Sequence, residues 1–348
     1  MVVRIPEKFK KLSPFKAGTR TSTFVEFVDL VPTVLSLAGI DIPKSIDGKA
    51  FLGKKLKKSE LEKRNSAFGY ADRFDEKYDL VRSIRKGKYK YMRNYQPFNV
   101  DGLYNFYRYK MLAYKEWYTL FQDGKLNDIQ SQFFKPKSPE SLYNIEEDPH
   151  ETKNLANDIA YNDILITMRE QLNNHLMSIN DLSFLPEPYF LNNGIDDVVE
   201  YSAQNKTLIK KLIETSNLQL KDYDEVSSQI KNSLNDDNPW VRYWGLIVCS
   251  SFGSKAMENV DKINVIFESD SENLVRMRAA EFMLLNDIEL NDSKINSLLK
   301  RSNFEAEANL MLNTLANIKT INPKYKLNLN KNVFPENAWN KLHLQIIF

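Results

Sequence analysis

The 348-residue sequence predicts an α+β first half, with a small antiparallel sheet and a packed helix, and an all-α second half. Three observations carry this. "VRSIRKGKYKYMRNY" holds two β-branched and aromatic runs around Lys86-Gly87, the composition of a short hairpin turn. "FLPEPYFLNNG" (184–194) is a Pro- and Asn-rich break. Beyond it the apolar spacing is helical and repeats: "LNDDNPWVRYWGLIVCSSFG" and "FESDSENLVRMRAAEFMLLND" align Val241 with Val275 and Arg242 with Arg276, 34 residues apart.

From the N-terminus, "VVRIP" reads as the end of a buried strand, and "MVVRIPEKFK" lacks the apolar core of a signal peptide. "TSTFVEFVDLVPTVLSLAGIDIP" (21–43) predicts a strand at Thr23 to Val28 and then a helix. Asp29 suits its N-cap, Pro32 its first turn and Gly39 its C-cap; Leu30, Val34, Leu35 and Leu37 supply its buried face. On the second hairpin run Tyr89, Tyr91 and Arg93 point one way. The aromatic insertion from Phe98 to Phe134 predicts a helix with flanking loop. Its rings either bury it against the hairpin sheet or stack on sugar rings. "SLYNIEEDPHE" predicts a strand at Leu142 to Ile145 and a turn at Asp148-Pro149. A helix follows from about Asp158, with Leu165, Met168, Leu172 and Leu176 as its stripe.

The repeated helical units predict an α-solenoid, because one helix pair cannot bury its apolar face alone. A third, weaker unit is "LKRSNFEAEANLMLNTLANI". Arg242 and Arg276 are expected to bond turn carboxylates such as Asp236 or Asp270. The tail, 324–348, reads as irregular.

Composition narrows the functional classes. The 48 basic and 46 acidic residues nearly cancel, leaving +2, which argues against a nucleic-acid or anionic-membrane partner. No apolar run reaches the roughly 18 residues of a membrane span. The one cysteine, Cys249, excludes an internal disulfide and sits in an apolar run as a core thiol. His150, His175 and His343 stand far apart, without metal-ligand spacing. His150 reads as a surface residue. The paired carboxylates Asp196-Asp197 and Asp236-Asp237 read as helix caps or solvated turns.

Three stretches, in order, resemble one family. "FVDLVPTVLSLAGIDIP...DGKAFLG" looks like the late part of a sulfatase catalytic domain. "RFDEKYDLVRSIRKGKYKYMRNYQP" is similar to sulfatases of the sulfamidase (N-sulfoglucosamine sulfohydrolase) type, including bacterial arylsulfatase-like enzymes. "LYNIEEDPHETKNLAND" looks like a signature near the sulfatase C-terminus. The resemblance covers roughly residues 1 to 190, and the helical part resembles HEAT-like repeats. It implies four segments: 1–60, the tail end of an α/β catalytic domain; 61–190, a C-terminal subdomain; 191–323, HEAT-like repeats; and 324–348, an irregular tail.

The resemblance also implies a mechanism: a formylglycine made from C/S-x-P-x-R, and a calcium ion on the sulfate oxygens. Neither C-x-P-x-R nor S-x-P-x-R occurs here. No catalytic residue, metal ligand or cofactor is therefore assigned to this chain, with calcium implied only for the full-length enzyme. The chain is expected to begin after the family's nucleophile and metal ligands, to expose apolar surface there, and to be inactive alone. Its implied partners are a sulfated carbohydrate and the missing N-terminal half; the full-length enzyme is implied to be periplasmic or extracellular. The alternative is a non-catalytic interaction or glycan-binding module. Within "ADRFDEKYDLVR" (71–82), Arg73 is the candidate for bidentate contact with a sulfate. Asp72, Asp75 and Glu76 are the candidates for accepting from sugar hydroxyls. The competing reading pairs Arg82 with Asp79 and Lys77 with Asp75.

Overall fold

The computed structural model describes residues 1–329 except 75, 76, 104, 303, 323, 324 and 327. The expected irregular tail lies almost entirely outside them. Four strands, β1 (Ser66–Phe74), β2 (Lys77–Lys86), β3 (Tyr89–Asn94) and β4 (Glu140–Asn144), form one antiparallel sheet in the order β1-β2-β3-β4. The β2–β3 turn falls at the expected Lys86-Gly87, where Gly87 takes a φ of 54°. Along β2 the even positions Tyr78, Leu80, Arg82 and Ile84 are buried, and on the odd face Asp79 is buried as well. The chain divides into two compact units.

The first unit comprises Met1–Gly69, Ser83–Met92 and Leu142–Leu172. Its helix α1 (Leu30–Ala38) ends on Gly39, left-handed at φ 76°, as expected. Asp29 stands at the N-cap of α1, as expected, but its side chain makes no cap bond to the helix. Its carboxylate instead accepts from the backbone N–H groups of Glu26 (3.1 Å) and Lys49 (2.7 Å). Thr33 Oγ1 donates to Asp29 O (2.6 Å) and accepts from Phe51 N–H (3.1 Å). Arg64 donates to the carbonyls of Lys49 (3.0 Å) and Ala50 (2.8 Å). Polar side chains thus fasten α1 to the 47–53 loop, where Gly48 adopts φ 85° and leaves no room for a side chain against the Val28 carbonyl.

Three expectations fail in this unit. No strand forms at 23–28: Phe24 N–H donates to Arg64 O, and Phe27–Asp29 is a 3-10 turn. "VVRIP" is not a strand either, and Val2 is almost fully exposed. The predicted buried face of α1 is largely open. Pro32 and Thr33 are buried toward the loop, whereas Leu30, Val34 and Leu37 face out, Val34 to 64 %. Among the described residues nothing covers the side of α1 away from the loop.

After β4, Asp148 holds the predicted turn by accepting from Lys153 N–H (2.8 Å) and Thr152 Oγ1 (3.1 Å). Asn154 Oδ1 accepts from Leu142 N–H and Ala156 N–H, both at 3.0 Å. Helix α2 (Asn162–Ile179) follows a 3-10 turn capped by Asp158, and Leu165, Met168, Leu172 and Leu176 are all buried as expected.

The second unit comprises Tyr70–Arg82, Arg93–Ser141 and Asn173–Phe348. Its aromatic insertion carries α3 (Leu112–Gln122). The helical region carries α4 (Lys206–Ser216), α5 (Tyr223–Leu234), α6 (Pro239–Phe252), α7 (Val260–Ser269), α8 (Asn273–Leu285), α9 (Asp292–Lys300) and α10 (Glu305–Ile321). Helix α6 packs on α4, α5 and α8, and α8 packs on α7, α9 and α10. Buried residues therefore run round most of α6 and α8, as in any central helix. Arg242 donates to Asp270 (2.7 and 2.9 Å) as expected, and to the Asp236 carbonyl (2.7 Å). Arg276 differs: its Nε donates to the Phe267 carbonyl (2.6 Å).

The sheet segments of this unit are tied to its helices. Arg93, buried, donates to the carbonyls of Pro139 and Ser216 (both 2.9 Å) and to Gln219 Oε1 (3.2 Å). Gln219 Nε2 donates to Tyr95 O (3.0 Å). Trp244 Nε1 donates to Phe184 O (2.8 Å), and the Tyr95 and Phe184 rings lie 4.9 Å apart beside the indole. Cys249 is fully buried, and burial pushes its thiol up to about 12. A thiol-specific reagent at pH 8 is therefore expected to leave the native protein unlabelled and to label it stoichiometrically in denaturant; fast native labelling would contradict a core thiol.

Candidate functional site

The charged stretch from Asp72 to Arg82 occupies β1 and β2 of the second unit, and alternation along β2 sends its charges to two separate clusters. Arg82 belongs to the buried even face. Its guanidinium donates from Nε to Asp181 Oδ2 (2.6 Å) and from Nη2 to Asp181 Oδ1 (3.2 Å) and Asp72 Oδ2 (3.3 Å); Nη1 also donates to Asp72 Oδ1. Burial works against this charge, but Asp181 and Asp72 outweigh it and hold the guanidinium above its usual pKa. Ser183 Oγ donates to Asp72 (2.9 Å). The expected Arg82–Asp79 pair does not form, since positions three apart on a strand point to opposite faces.

Arg73 forks onto Glu187: Nε donates to Oε1 at 3.2 Å and Nη2 donates to Oε2. The guanidinium lies 5.4 Å from the ring centre of buried Tyr78, whose hydroxyl is raised above its usual pKa by burial. Arg73 keeps 31 % of its side chain exposed. Asp72 has already committed both oxygens, to Arg82 and Ser183. Asp75 and Glu76 lie outside the described residues, as does the expected Lys77–Asp75 pair.

Lys77 and Asp79, on the odd face, meet the base of the aromatic insertion. Lys137 Nζ bonds the Asp79 carboxylate and Asp101 Oδ1 (3.3 Å). The Asp101 carbonyl accepts from Lys77 Nζ (3.4 Å) and Arg108 Nη1 (2.7 Å), and its carboxylate stands 3.7 Å from Lys77 Nζ. Burial raises the Asp101 carboxyl, but Lys137 and Lys77 outweigh it and hold it below the usual carboxylate range. Burial pulls Lys77 below its usual pKa against the attraction of Asp79 and Asp101, and Lys137 and Arg108 add repulsion. For Lys137 burial is overcome by Asp79 and Asp101, and its pKa is raised.

Beside this cluster the insertion packs its rings on one another. Trp117 stacks on Phe133 (4.6 Å between centres, 18° between planes), and Phe121 stacks on Phe134 (4.7 Å). Arg108 lies over the rings of Phe133 (5.3 Å) and Tyr114 (5.5 Å). Tyr114, Trp117 and Tyr118 are half-buried, so the insertion keeps aromatic surface open.

Among the described residues no three His, Cys, Asp or Glu side chains gather as metal ligands, and no helix is long and apolar enough to cross a membrane. His150 is exposed, as expected. Sequence reasoning missed Asp181, Ser183, Glu187, Asp101 and Lys137. The one local signal was Asp181-Leu-Ser183, where Asp181 Oδ1 accepts from Ser183 N–H (3.0 Å) to cap a 3-10 turn. The other partners lie up to 114 residues away in sequence.

With this geometry in hand, the similarities to known proteins are informative. An Ulvan-active sulfatase of Formosa agariphila is 36% identical over 193 residues, 55% of this chain and 31% of that protein. A second Ulvan-active sulfatase of the same organism is 26% identical over 152 residues, 43% of this chain and 28% of that protein. The chain thus spans under a third of the length of these curated relatives. A solved structure in complex with its substrate D-glucosamine-2-N,6-O-disulfate gives a TM-score of 0.26 at 16% identity, over 49% of this chain and 25% of that one. Residues 1–136 match the family model described as N-sulphoglucosamine sulphohydrolase, C-terminal, so this stretch, which includes β1 to β3 and α3, is similar to the C-terminal region of sulfatases.

Proposed function

We propose that this chain is the C-terminal portion of a sulfatase, a sulfuric ester hydrolase acting on sulfated sugars or aryl sulfates, and that it turns over no substrate alone. The match of residues 1–136 to the sulfamidase C-terminal family carries this reading. The open apolar side of α1 supports it, because a contiguous face of that kind calls for a protein cover. The calcium implied for a full-length enzyme does not fit the described residues, among which no three His, Cys, Asp or Glu side chains gather as ligands. No step through calcium is therefore assigned to this chain.

In the whole enzyme this portion shapes one side of the substrate cleft. Arg73, held by Glu187 yet still partly open, is the residue assigned to face a sulfate; Asp75 and Glu76 keep their role as hydroxyl acceptors. Asp72 acts indirectly, by fixing Arg82. The helical region, α4 to α10, is read as HEAT-like repeats, supported by the paired helices and by Arg242 reaching the next turn's Asp270. The half-open rings of the insertion favour the second reading, a glycan-binding module without catalysis.

An aryl-sulfate assay with calcium tests the first reading. The purified chain is expected to show no turnover. Fusion to the remaining portion of the 36%-identical relative is expected to restore hydrolysis. Turnover by the chain alone would sink the proposal, and so would an inactive fusion beside an active parent.

A further inference from the structure

Among the described residues, Lys77 and Lys137 stand beside two carboxylates, Asp79 and Asp101, and Arg108 joins them by donating to the Asp101 backbone carbonyl. Lys137 sits between both carboxylates. Lys77 is less well served: its side chain is only 11 % exposed, and its ion-pair partner, Asp101, stands at 3.7 Å and is shared with Lys137. An ammonium withdrawn from water whose nearest carboxylate is shared with a second ammonium favours the arrival of a further anion. The Asp101 carboxyl, 49 % exposed, shows that solvent reaches the cluster. Arg108 links it to the aromatic surface, since the guanidinium that bonds the Asp101 carbonyl also lies over Tyr114 and Phe133. Fixed positive charge beside an aromatic face matches the two halves of a sulfated sugar, an anionic group and a pyranose ring with apolar C–H edges.

We infer that Lys77, Lys137 and Arg108, with the neighbouring rings of Tyr114 and Trp117, form a subsite for a sulfate-bearing sugar residue. The sulfate displaces the Asp101 carboxylate from Lys77, while the ring lies on the aromatic surface. Only the choice of sulfate over another anion rests on the sulfatase reading; the site itself rests on the geometry. It is distinct from the position of Arg73, because Lys77 and Arg82 lie on opposite faces of β2 and Arg73 lies over Tyr78, on the face of Arg82.

Calorimetric titration of the full chain tests this with three probes: D-glucosamine-2-N,6-O-disulfate, N-acetyl-D-glucosamine and inorganic sulfate. The disulfated sugar is expected to bind at least about tenfold more tightly than either of the others. Lys77→Gln should weaken it about tenfold. Asp101→Asn should tighten it, because the competing carboxylate is gone, an effect of opposite sign that a merely structural role does not produce. Thermal melts confirm that both variants fold. No binding by the disulfated sugar, unchanged affinity in Lys77→Gln, or weaker binding in Asp101→Asn overturns the subsite. Inorganic sulfate binding as tightly as the sugar overturns the part assigned to the rings. An inactive fusion enzyme whose chain still binds the sugar sinks the sulfatase reading and leaves the subsite standing.

Discussion

Replacing Arg82 with methionine is expected to lower stability by about 3–5 kcal/mol, read from urea denaturation followed by tryptophan fluorescence. The arginine side chain is 5 % exposed and holds Asp72 and Asp181 at once. Its removal strands Asp181, 9 % exposed, and Asp72, 29 % exposed, and the loss comes mainly from their uncompensated charge, Asp181 above all. A triple variant, Arg82→Met with Asp72→Asn and Asp181→Asn, separates that cause from lost packing. Neutralising both carboxylates should recover most of the deficit. If the triple variant is as unstable as the single one, the fork acts through shape alone.

Trp244→Ala should cost a similar amount, about 3–5 kcal/mol. The indole fills the space beside Tyr95 (6.0 Å between centres) and Phe184 (5.4 Å), and its N–H satisfies the Phe184 carbonyl. Trp244→Phe keeps an aromatic ring but leaves that buried carbonyl unpaired, for a smaller loss of about 1–3 kcal/mol. Ending the chain at residue 190 removes α4 to α10 and uncovers Tyr95, Phe184 and Arg93 together, and this truncated protein is expected to be insoluble. A soluble, cooperatively folding 1–190 fragment would show instead that the helical region is a separate module. These variants bear on the break at 184–194: the chain does carry a Pro- and Asn-rich punctuation there, yet the second compact unit runs straight through it.

Local features proved legible in the sequence because their causes are local. Gly39 ends α1, Lys86-Gly87 makes the hairpin, Asp148 holds its turn, and the stripe from Leu165 to Leu176 is buried, each through residues within a few positions. Long-range features were not. Among the described residues, the pattern from Thr23 to Val28 has strand composition but no neighbouring strand to complete a ladder, and α1 has an apolar stripe with no surface against it. The charges of 72–82 showed the same limit. Spacing can rank Asp79 as a neighbour of Arg82, but only the pleat places them on opposite faces, and only the fold brings Asp181 and Glu187 into reach. The candidate site was found as a charged stretch and missed as an arrangement.

The ties between the sheet and the helices also set an order of events during synthesis. Arg73 awaits Glu187, 114 residues later, Arg82 awaits Asp181, 99 residues later, and Arg93 awaits Gln219, 126 residues later. At about 5–20 residues per second, the ribosome needs on the order of ten seconds to deliver those partners. Through that interval Arg73, Arg82 and Arg93 stand in the nascent chain without their final partners. Slowing translation between residues 141 and 250 would lengthen that vulnerable interval and raise the demand on chaperones at that point.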